Sequence, residues 1–288
     1  MADEKNVDGA VDVPTPAAVV LAGLIGMDIQ GSRSPAVHEK EAAAQGFQLR
    51  YQLFDLALDG SSADDLPETL RRAEREGFAG LNITHPFKQQ VMALLDHLSD
   101  EAQAIGAVNT VIFHDGQRTG YNTDASGFAE GINRQLSGAD ISRVVQIGAG
   151  GAGAATAMAM VDLGCKELMI IDVQADRAAE LVSRLPGNVG RVGIDVASEL
   201  GSANGLINAT PIGMQGHAGI PVDPALLHAG LWVADVVYFP LETQLLAAAR
   251  AVGCRTAHGG DMLVFQAARA FDLFTGRRAD RERMVASF

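Results

Sequence analysis

Val144-Val145-Gln146-Ile147-Gly148-Ala149-Gly150-Gly151-Ala152-Gly153 is the stretch on which the fold turns. Its first four residues have the apolar, β-branched character of a buried strand, and Ala154-Ala155-Thr156 after it opens a helix. Gly148 permits a tight turn, and Gly150 lets the backbone approach a pyrophosphate. Gly153 lets the helix pack on the strand, while the helix N-terminus, with Ala149, Gly151 and Ala152 in the loop, aims its N–H groups at the phosphates. A strand before and a helix after separate this unit from a chance run of glycines. The following strand, Leu168-Met169-Ile170-Ile171, ends at Asp172, 19 residues past Gly153. An acid at that distance holds the adenosine ribose 2′-hydroxyl. Val173-Gln174-Ala175 brings no cation and Arg177 comes a turn later, so a 2′-phosphate would meet only negative charge. The expected cofactor is NAD, with NADP less favoured; the plainer alternative makes Asp172 a strand-end cap for the next helix.

Working outward, short β-branched runs alternate with Ala-rich helical stretches on both sides. Upstream, strands are expected at 18–25, 51–56 and 81–84 and helices at 35–45, 67–75 and 89–97. A small hairpin at 108–113 and 118–121 turns around Asp115-Gly116. Downstream, helices are expected at 152–163 and 177–185, and strands at 168–173, 192–194, 205–208 and 232–237. This alternation predicts an α/β fold with largely parallel sheets. A helix at 125–136, entered through Thr123-Asp124, separates the two series and is the natural hinge between an N-terminal domain (18–122) and a dinucleotide-binding domain (123–257). Residues 1–17 read as a flexible extension. Two closing helices, 262–274 and 281–287, have no strand partner left and could fold onto either domain.

The chain has 288 residues, 48% hydrophobic and 20% charged, a globular mixture rather than a disordered one. With 22 basic and 35 acidic residues the net charge is −13, which argues against nucleic acid or an anionic membrane surface as a partner. Much of the acidity is remote from the motifs: residues 1–17 hold four acids and one Lys, and residues 54–77 seven acids and three Arg. An anionic substrate is therefore compatible with it. Cys165 and Cys254 show no metal-ligand or disulfide spacing and read as reduced, buried thiols; no metal site is expected. The apolar run at 17–26 follows Asp3, Glu4, Asp8 and Asp12 rather than a basic region, so it reads as neither signal peptide nor membrane span, and the cytoplasm is the expected location.

Three further segments are unusual. In Gly31-Ser32-Arg33-Ser34-Pro35, Ser34 reads as an N-cap before Pro35, which leaves Ser32 unexplained. Two hydroxyls at a helix start would suit a carboxylate; from the pattern alone, capping accounts for the segment more simply. Gly80-Leu81-Asn82-Ile83-Thr84-His85-Pro86-Phe87-Lys88 runs a strand into a Pro-started turn. Gly106-Ala107-Val108-Asn109-Thr110 is followed by Gly120-Tyr121-Asn122-Thr123-Asp124. Asn and Thr at strand ends with one Lys and one Asp suit a hydroxyl-rich ligand, although Lys88 and Asp124 taken singly read as surface charges.

Taken together, the ordered motifs SxSP, NxTxPxK, GAVNT, NTD and GAGGAG resemble the shikimate dehydrogenase family. So do Asn208-Ala209-Thr210-Pro211-Ile212-Gly213-Met214, the run from Asp235 through Tyr238 to Pro240, and Met262-Leu263-Val264-Phe265-Gln266-Ala267. Asp172 matches the NAD-using quinate/shikimate subgroup. The resemblance implies reversible oxidation of shikimate or quinate, a small hydroxylated cyclohexene or cyclohexane carboxylate, by a monomer or homodimer. It implies that Ser32 and Ser34 bind the carboxylate, that Thr84, Asn109 and Gln266 bind ring hydroxyls, and that Tyr238 and Asn82 lie near them. Lys88 and Asp124 would form the catalytic pair, Lys88 carrying the proton and Asp124 orienting it. Nucleotide contacts would come from 148–153, Asp172, Ala209, Thr210, Met214, Val237 and Gly259. Residues 258–288 would complete the N-terminal domain. His258-Gly259-Gly260-Asp261 departs from the family's Asp-Gly-x-Gly, and His85 and His38 read as structural. Alternatives are an NADP-dependent shikimate or aminoshikimate dehydrogenase, a non-catalytic nucleotide sensor and a folate-type dehydrogenase, the last of which leaves SxSP and NTD unexplained.

Overall fold

The computed structural model describes residues 19–58 and 62–287; the expected extension at 1–17 lies outside them. The first half comprises β1 (Val20–Gly26), α1 (Ser34–Ala44), β2 (Leu49–Asp55), α2 (Leu66–Arg75), β3 (Gly80–Ile83), β4 (His97–Leu98), α3 (Asp100–Ile105), β5 (Thr110–His114) and β6 (Gln117–Tyr121). They form a six-stranded sheet in the order β2-β1-β3-β5-β6-β4. Strand β1 pairs parallel with β2 and β3, and the β5–β6 hairpin is antiparallel. Its turn is the expected Asp115-Gly116, both residues at positive φ.

Helix α4 (Asp124–Gln135) leads into β7 (Arg143–Ile147), α5 (Gly151–Asp162), β8 (Glu167–Ile171), α6 (Ala175–Arg184), β9 (Gly190–Val192), α7 (Val196–Leu200), β10 (Gly205–Asn208), β11 (Trp232–Asp235), α8 (Gln244–Ala251) and β12 (Arg255–Ala257). This second sheet, β12-β11-β10-β7-β8-β9, is parallel throughout. The chain reverses direction at β7, so the crevice at its carboxyl end is the ligand position of a doubly wound sheet. Helices α9 (Gly260–Thr275) and α10 (Arg281–Ser287) close the chain. Val264, Ala268, Phe271, Phe274 and Met284 pack with Ala22, Leu24 and Tyr51 of the first sheet, so the tail folds onto the N-terminal half. Gly127 makes the α4–α9 contact possible, because a Cβ there would sit 2.7 Å from the Gln266 backbone nitrogen. Arg134 and Asp261 pair across the same two helices at 2.9 Å, and the His258 turn is held by reciprocal hydrogen bonds with the Gln135 side chain.

Some expected elements differ. The helix at 89–97 is a short 3-10 turn, Gln90–Leu94. It stops because His97–Leu98 pairs with β6 and Asp96 exchanges hydrogen bonds with Arg118. Strand β9 starts two residues earlier than expected, and Ile194 stands 89% exposed beyond it. Helices α3, α7 and α8 and strand β12 went unassigned, although Ser99 caps α3 through the Ala102 N–H and left-handed Gly106 ends it. Among the described residues no helix is long and apolar enough to cross a membrane, and no group of three or more His, Cys, Asp or Glu is placed to hold a metal ion.

Candidate active site

The loop from β1 to α1 is pinned by Asp55 at the end of β2. Its carboxylate accepts the Asp28 N–H at 2.9 Å, the Ile29 N–H at 3.0 Å and the Gln30 side-chain amide at 3.1 Å. Ser34 was expected to cap α1, and the structure corrects this. The helix begins one residue earlier, with the Arg33 carbonyl taking the Val37 N–H at 3.2 Å, so the Ser34 hydroxyl loses its capping target. Ser32 serves the helix start instead: its Oγ accepts the Ser34 N–H at 3.3 Å and its hydroxyl donates to Ser34 Oγ at 3.2 Å. The two hydroxyls therefore stand side by side at the N-terminus of α1.

Lys88 Nζ lies 2.6 Å from Asp124 Oδ2, so two residues that sequence alone reads as separate surface charges are one ion pair, with the lysine side chain 32% exposed and the aspartate 12%. Asp124 is the first residue of α4; its N–H donates to Asn122 Oδ1 and its Oδ1 accepts from Asn109 Nδ2 at 2.9 Å. The Lys88 carbonyl accepts the Val108 N–H, tying the lysine to the segment that carries Asn109. Asn109 also donates to Thr123 Oγ1, and the Thr123 hydroxyl reaches Gln266 Oε1 of α9 at 3.4 Å. Asn82 on β3 donates to Thr110 Oγ1 and accepts from the Tyr51 hydroxyl at 2.7 Å. Thr84 follows β3 directly, its N–H on the Ile25 carbonyl. Lys88, Asp124, Asn109, Asn82 and Gln266 are thus joined through Thr110 and Thr123. Tyr238 is not among them; it stands 46% exposed on the loop after β11.

The glycine turn after β7 is shaped from below by Gln146. Its side-chain amide donates to the carbonyls of Gly148 at 2.9 Å and Gly153 at 2.8 Å, while its oxygen accepts from Thr156. A Cβ at Gly153 would lie 2.3 Å from the Gly148 carbonyl oxygen, and Gly148 itself has φ of +105°. No side chain caps α5, its first turn holds no acid, and a Cβ at Gly150 or Gly151 would meet nothing within 4 Å. The turn therefore has both room and N–H donors for a pyrophosphate. Asp172 is not a simple helix cap: Oδ2 accepts the Ala149 N–H at 2.8 Å and Oδ1 the Gln174 N–H at 2.9 Å, which locks the acid against the turn.

Ala209, Thr210, Met214, Val237 and Gly259 are arranged by a buried pair that sequence reasoning quoted without assigning. Asn208 Oδ1 accepts the N–H and hydroxyl of Thr210, and its amide donates to Asp235 Oδ1. Asp235 also takes the Val237 N–H and the Thr243 hydroxyl. Burial raises its carboxyl above the ordinary range, and these donors work against that rise. Gly259 approaches so closely that a Cβ would lie 2.2 Å from the Val236 oxygen. Met214 is held in its turn by the Pro211 carbonyl. Tyr51, Thr110, Gln146, Asn208 and Asp235 are the residues missed; a polar side chain inside or at the end of a buried strand was the available signal.

Residues 24–111 match the shikimate dehydrogenase substrate binding domain, and residues 259–287 the shikimate 5'-dehydrogenase C-terminal domain. The chain is 50% identical to the shikimate dehydrogenase (NADP(+)) of Streptomyces avermitilis, over 92% of this chain and 94% of that protein. It is 47% identical to the quinate/shikimate dehydrogenase (NAD(+)) of Corynebacterium efficiens, over 93% and 97%. Its structure is similar to quinate dehydrogenase from Corynebacterium glutamicum in complex with NAD, with a TM-score of 0.89 and 43% identity over 94% of this chain and 98% of that one. Motifs, two-sheet architecture and relatives agree: the chain belongs to the shikimate dehydrogenase family.

Proposed function

We propose that the protein is an NAD-dependent oxidoreductase that interconverts shikimate and 3-dehydroshikimate, quinate and 3-dehydroquinate, or both pairs. The observation that carries this reading is the 2.6 Å Lys88–Asp124 pair, with Asn109 on Asp124 and the polar side chains of Asn82, Thr84 and Gln266 grouped with it. A nucleotide sensor has no use for such a pair. The substrate carboxylate would rest on the Ser32 and Ser34 hydroxyls, and we assign exposed Tyr238, on the loop after β11, to the same pocket on the strength of the family resemblance. The substrate-binding domain takes residues 18–122 and 258–288, the nucleotide domain 123–257, with the reaction in the cleft between them.

A nicotinamide dinucleotide, when bound, supplies the hydride acceptor or donor. Its pyrophosphate would be held by the turn at Gly148–Gly153 and its ribose by Asp172, and Ala209, Thr210, Met214, Val237 and Gly259 would contribute the remaining contacts. For oxidation Lys88 Nζ first releases a proton to water and then, as the neutral amine, takes the proton of the reacting hydroxyl as the carbinol hydrogen departs as hydride. In the reductive direction the ammonium gives that proton back. The exposed fraction of Lys88 lets the first proton pass to water. Asp124, oriented by Asn109, keeps Nζ aimed at the substrate.

Asp172 favours NAD: a locked carboxylate followed by Val173-Gln174-Ala175 opposes a 2′-phosphate. Steady-state kinetics with both acids and both dinucleotides test the reading. We expect turnover with NAD at a kcat/KM at least tenfold above that with NADP; a preference for NADP overturns the role given to Asp172. Lys88→Ala is expected to lower kcat by about 10²–10⁴ with substrate KM changed only a few-fold. Unchanged turnover overturns Lys88 as the proton carrier.

A further inference from the structure

Between the serine turn and the ion pair, the polar side chains beneath the pocket form one sequence of hydrogen bonds whose direction is determined at every step. Asp124, as the partner of Lys88, only accepts. Asn109 therefore presents its amide nitrogen, giving protons to Asp124 Oδ1 at 2.9 Å and Thr123 Oγ1 at 3.0 Å. Its Oδ1 is left to accept, and takes the Thr110 hydroxyl at 2.9 Å and the Thr123 N–H at 2.9 Å. Thr110 has spent its only proton, so its oxygen accepts from Asn82 Nδ2 at 2.9 Å. The second Asn82 amide proton goes to the Asn109 carbonyl at 3.3 Å. Asn82 Oδ1 then accepts the Tyr51 hydroxyl at 2.7 Å. The phenol oxygen, its proton used, faces Ser34. Tyr51 cannot turn away: its ring is 5% exposed and stacks on His38 at 4.6 Å between centroids.

We propose that Tyr51 and Thr110 are positioning residues that hold the amides of Asn82 and Asn109 in one orientation, so that Asn82 offers a substrate hydroxyl an acceptor and no donor while Asn109, its four bonds filled, fixes Asp124. Both amide protons of Asn82 are committed inside the protein, so the remaining lone pair of Oδ1 is all it can show a ligand. A ring hydroxyl satisfies that lone pair; a carbonyl or ether oxygen at the same position would face it unpaired, at the cost of a buried, repelled acceptor. Neither Tyr51 nor Thr110 need touch the substrate: each acts through an asparagine. This inference rests on the functional reading above for the identity of the ligand, and not for the chain of bonds.

The test uses Tyr51→Phe, Thr110→Val, Thr110→Ser and the Tyr51→Phe/Thr110→Val double variant of the full-length protein. Thr110→Val is expected to raise the KM of the acid substrate about tenfold and lower kcat about tenfold, with the KM for NAD within twofold of wild type. Thr110→Ser keeps the hydroxyl and is expected to restore both within twofold. Tyr51→Phe is expected to act mainly on substrate KM, by about fivefold. The double variant is expected to resemble Thr110→Val rather than the product of the two, since a broken chain is not broken again. Substrate KM and kcat unchanged in both Tyr51→Phe and Thr110→Val, a serine variant as impaired as the valine one, or multiplying effects would each overturn the proposal. A second readout does not depend on turnover. Side-chain amide protons of Asn82 and Asn109, followed by ¹⁵N NMR in the free protein, are expected to exchange slowly in wild type and Thr110→Ser and fast in Tyr51→Phe. Equal exchange in all three overturns the chain even if wild type proves inactive on both acids, a result that would separately defeat the functional reading. Should Thr110→Val fail to fold, Tyr51→Phe and Thr110→Ser decide.

Discussion

The turn from β1 into α1 and the turn from β7 into α5 solve the same physical problem with opposite materials. Each follows a central strand of its sheet, and each brings a helix N-terminus to the carboxyl edge where ligands bind in such sheets. The β7 turn uses backbone: no side chain caps α5, and its shape comes from Gln146 and Thr156 below. The β1 turn uses side chains, with Ser32 taking a helix N–H and Ser34 standing beside it. On the function proposed above, a backbone site admits any pyrophosphate and leaves selection to a flanking residue, the role proposed for Asp172. On the same proposal, a hydroxyl site holds one carboxylate in one place and draws its selectivity from the chain of polar groups beneath it.

The largest expected effect breaks the backbone turn. Gly153→Ala sets a Cβ 2.3 Å from the Gly148 carbonyl oxygen, a backbone atom that cannot step aside, and is expected to destabilise the protein by about 3 kcal/mol and to abolish measurable NAD binding. Gly151→Ala meets open space and should leave the thermal midpoint unchanged. Thermal unfolding and an NAD titration on both variants check the contrast; equal behaviour would mean the turn is not tight. At the serine turn the effects are smaller and separable. Ser34→Ala is expected to raise substrate KM about tenfold, the loss of one hydrogen bond to a charged group, with little change in stability. Ser32→Ala should do the same and also lose about 1 kcal/mol, because the Ser34 N–H loses its acceptor. Kinetics paired with denaturant melts distinguish the two serines.

The same contrast explains what could be read before any coordinates. The β7 turn works through glycines at fixed spacing after an apolar strand, a local pattern, and so the turn, its flanking strand and helix, and Asp172 at the end of the next strand were all legible. The site in the first sheet is made by contacts distant in sequence: Lys88 meets Asp124 across 36 positions, and Tyr51 meets Asn82 across 31. Periodicity carries no information about such pairs, which is why Lys88 and Asp124 read singly as surface charges and only the order of motifs brought them together. Ser34 illustrates a finer limit. A hydroxyl before proline is a sound cap signal, yet a helix starting one residue earlier hands the helix start to Ser32 and releases Ser34. The helix expected at 89–97 failed for a nonlocal reason too, since pairing with β6 outcompeted the local preference of that segment.

Acid sharpens the comparison at its smallest scale. The inner face of α1, beneath the serine turn, carries His38, fully buried, with neither ring nitrogen hydrogen-bonded. Burial lowers its pKa from 6.5 to about 3. The residues buried on α5 beneath the glycine turn are Gly, Ala, Thr and Met, none of which titrates. For His38 the unfolded chain binds a proton below pH 6.5 that the folded chain refuses until about pH 3. Its contribution to stability is thus full above the unfolded pKa and is lost as pH falls, by about 1.4 kcal/mol at pH 5.5 and by a further 1.4 kcal/mol or so per pH unit below that. His38→Leu removes the titration without breaking a hydrogen bond. Stability measured by urea melts from pH 7.5 to 5 is expected to fall more steeply in wild type than in the variant. Hydrogen exchange in the same range should show β1, β2 and α1 loosening before β7 and α5. Parallel pH curves for the two proteins would mean that the imidazole already has a proton partner in the fold, and that the α1 side of the site is no more acid-sensitive than the backbone turn it mirrors.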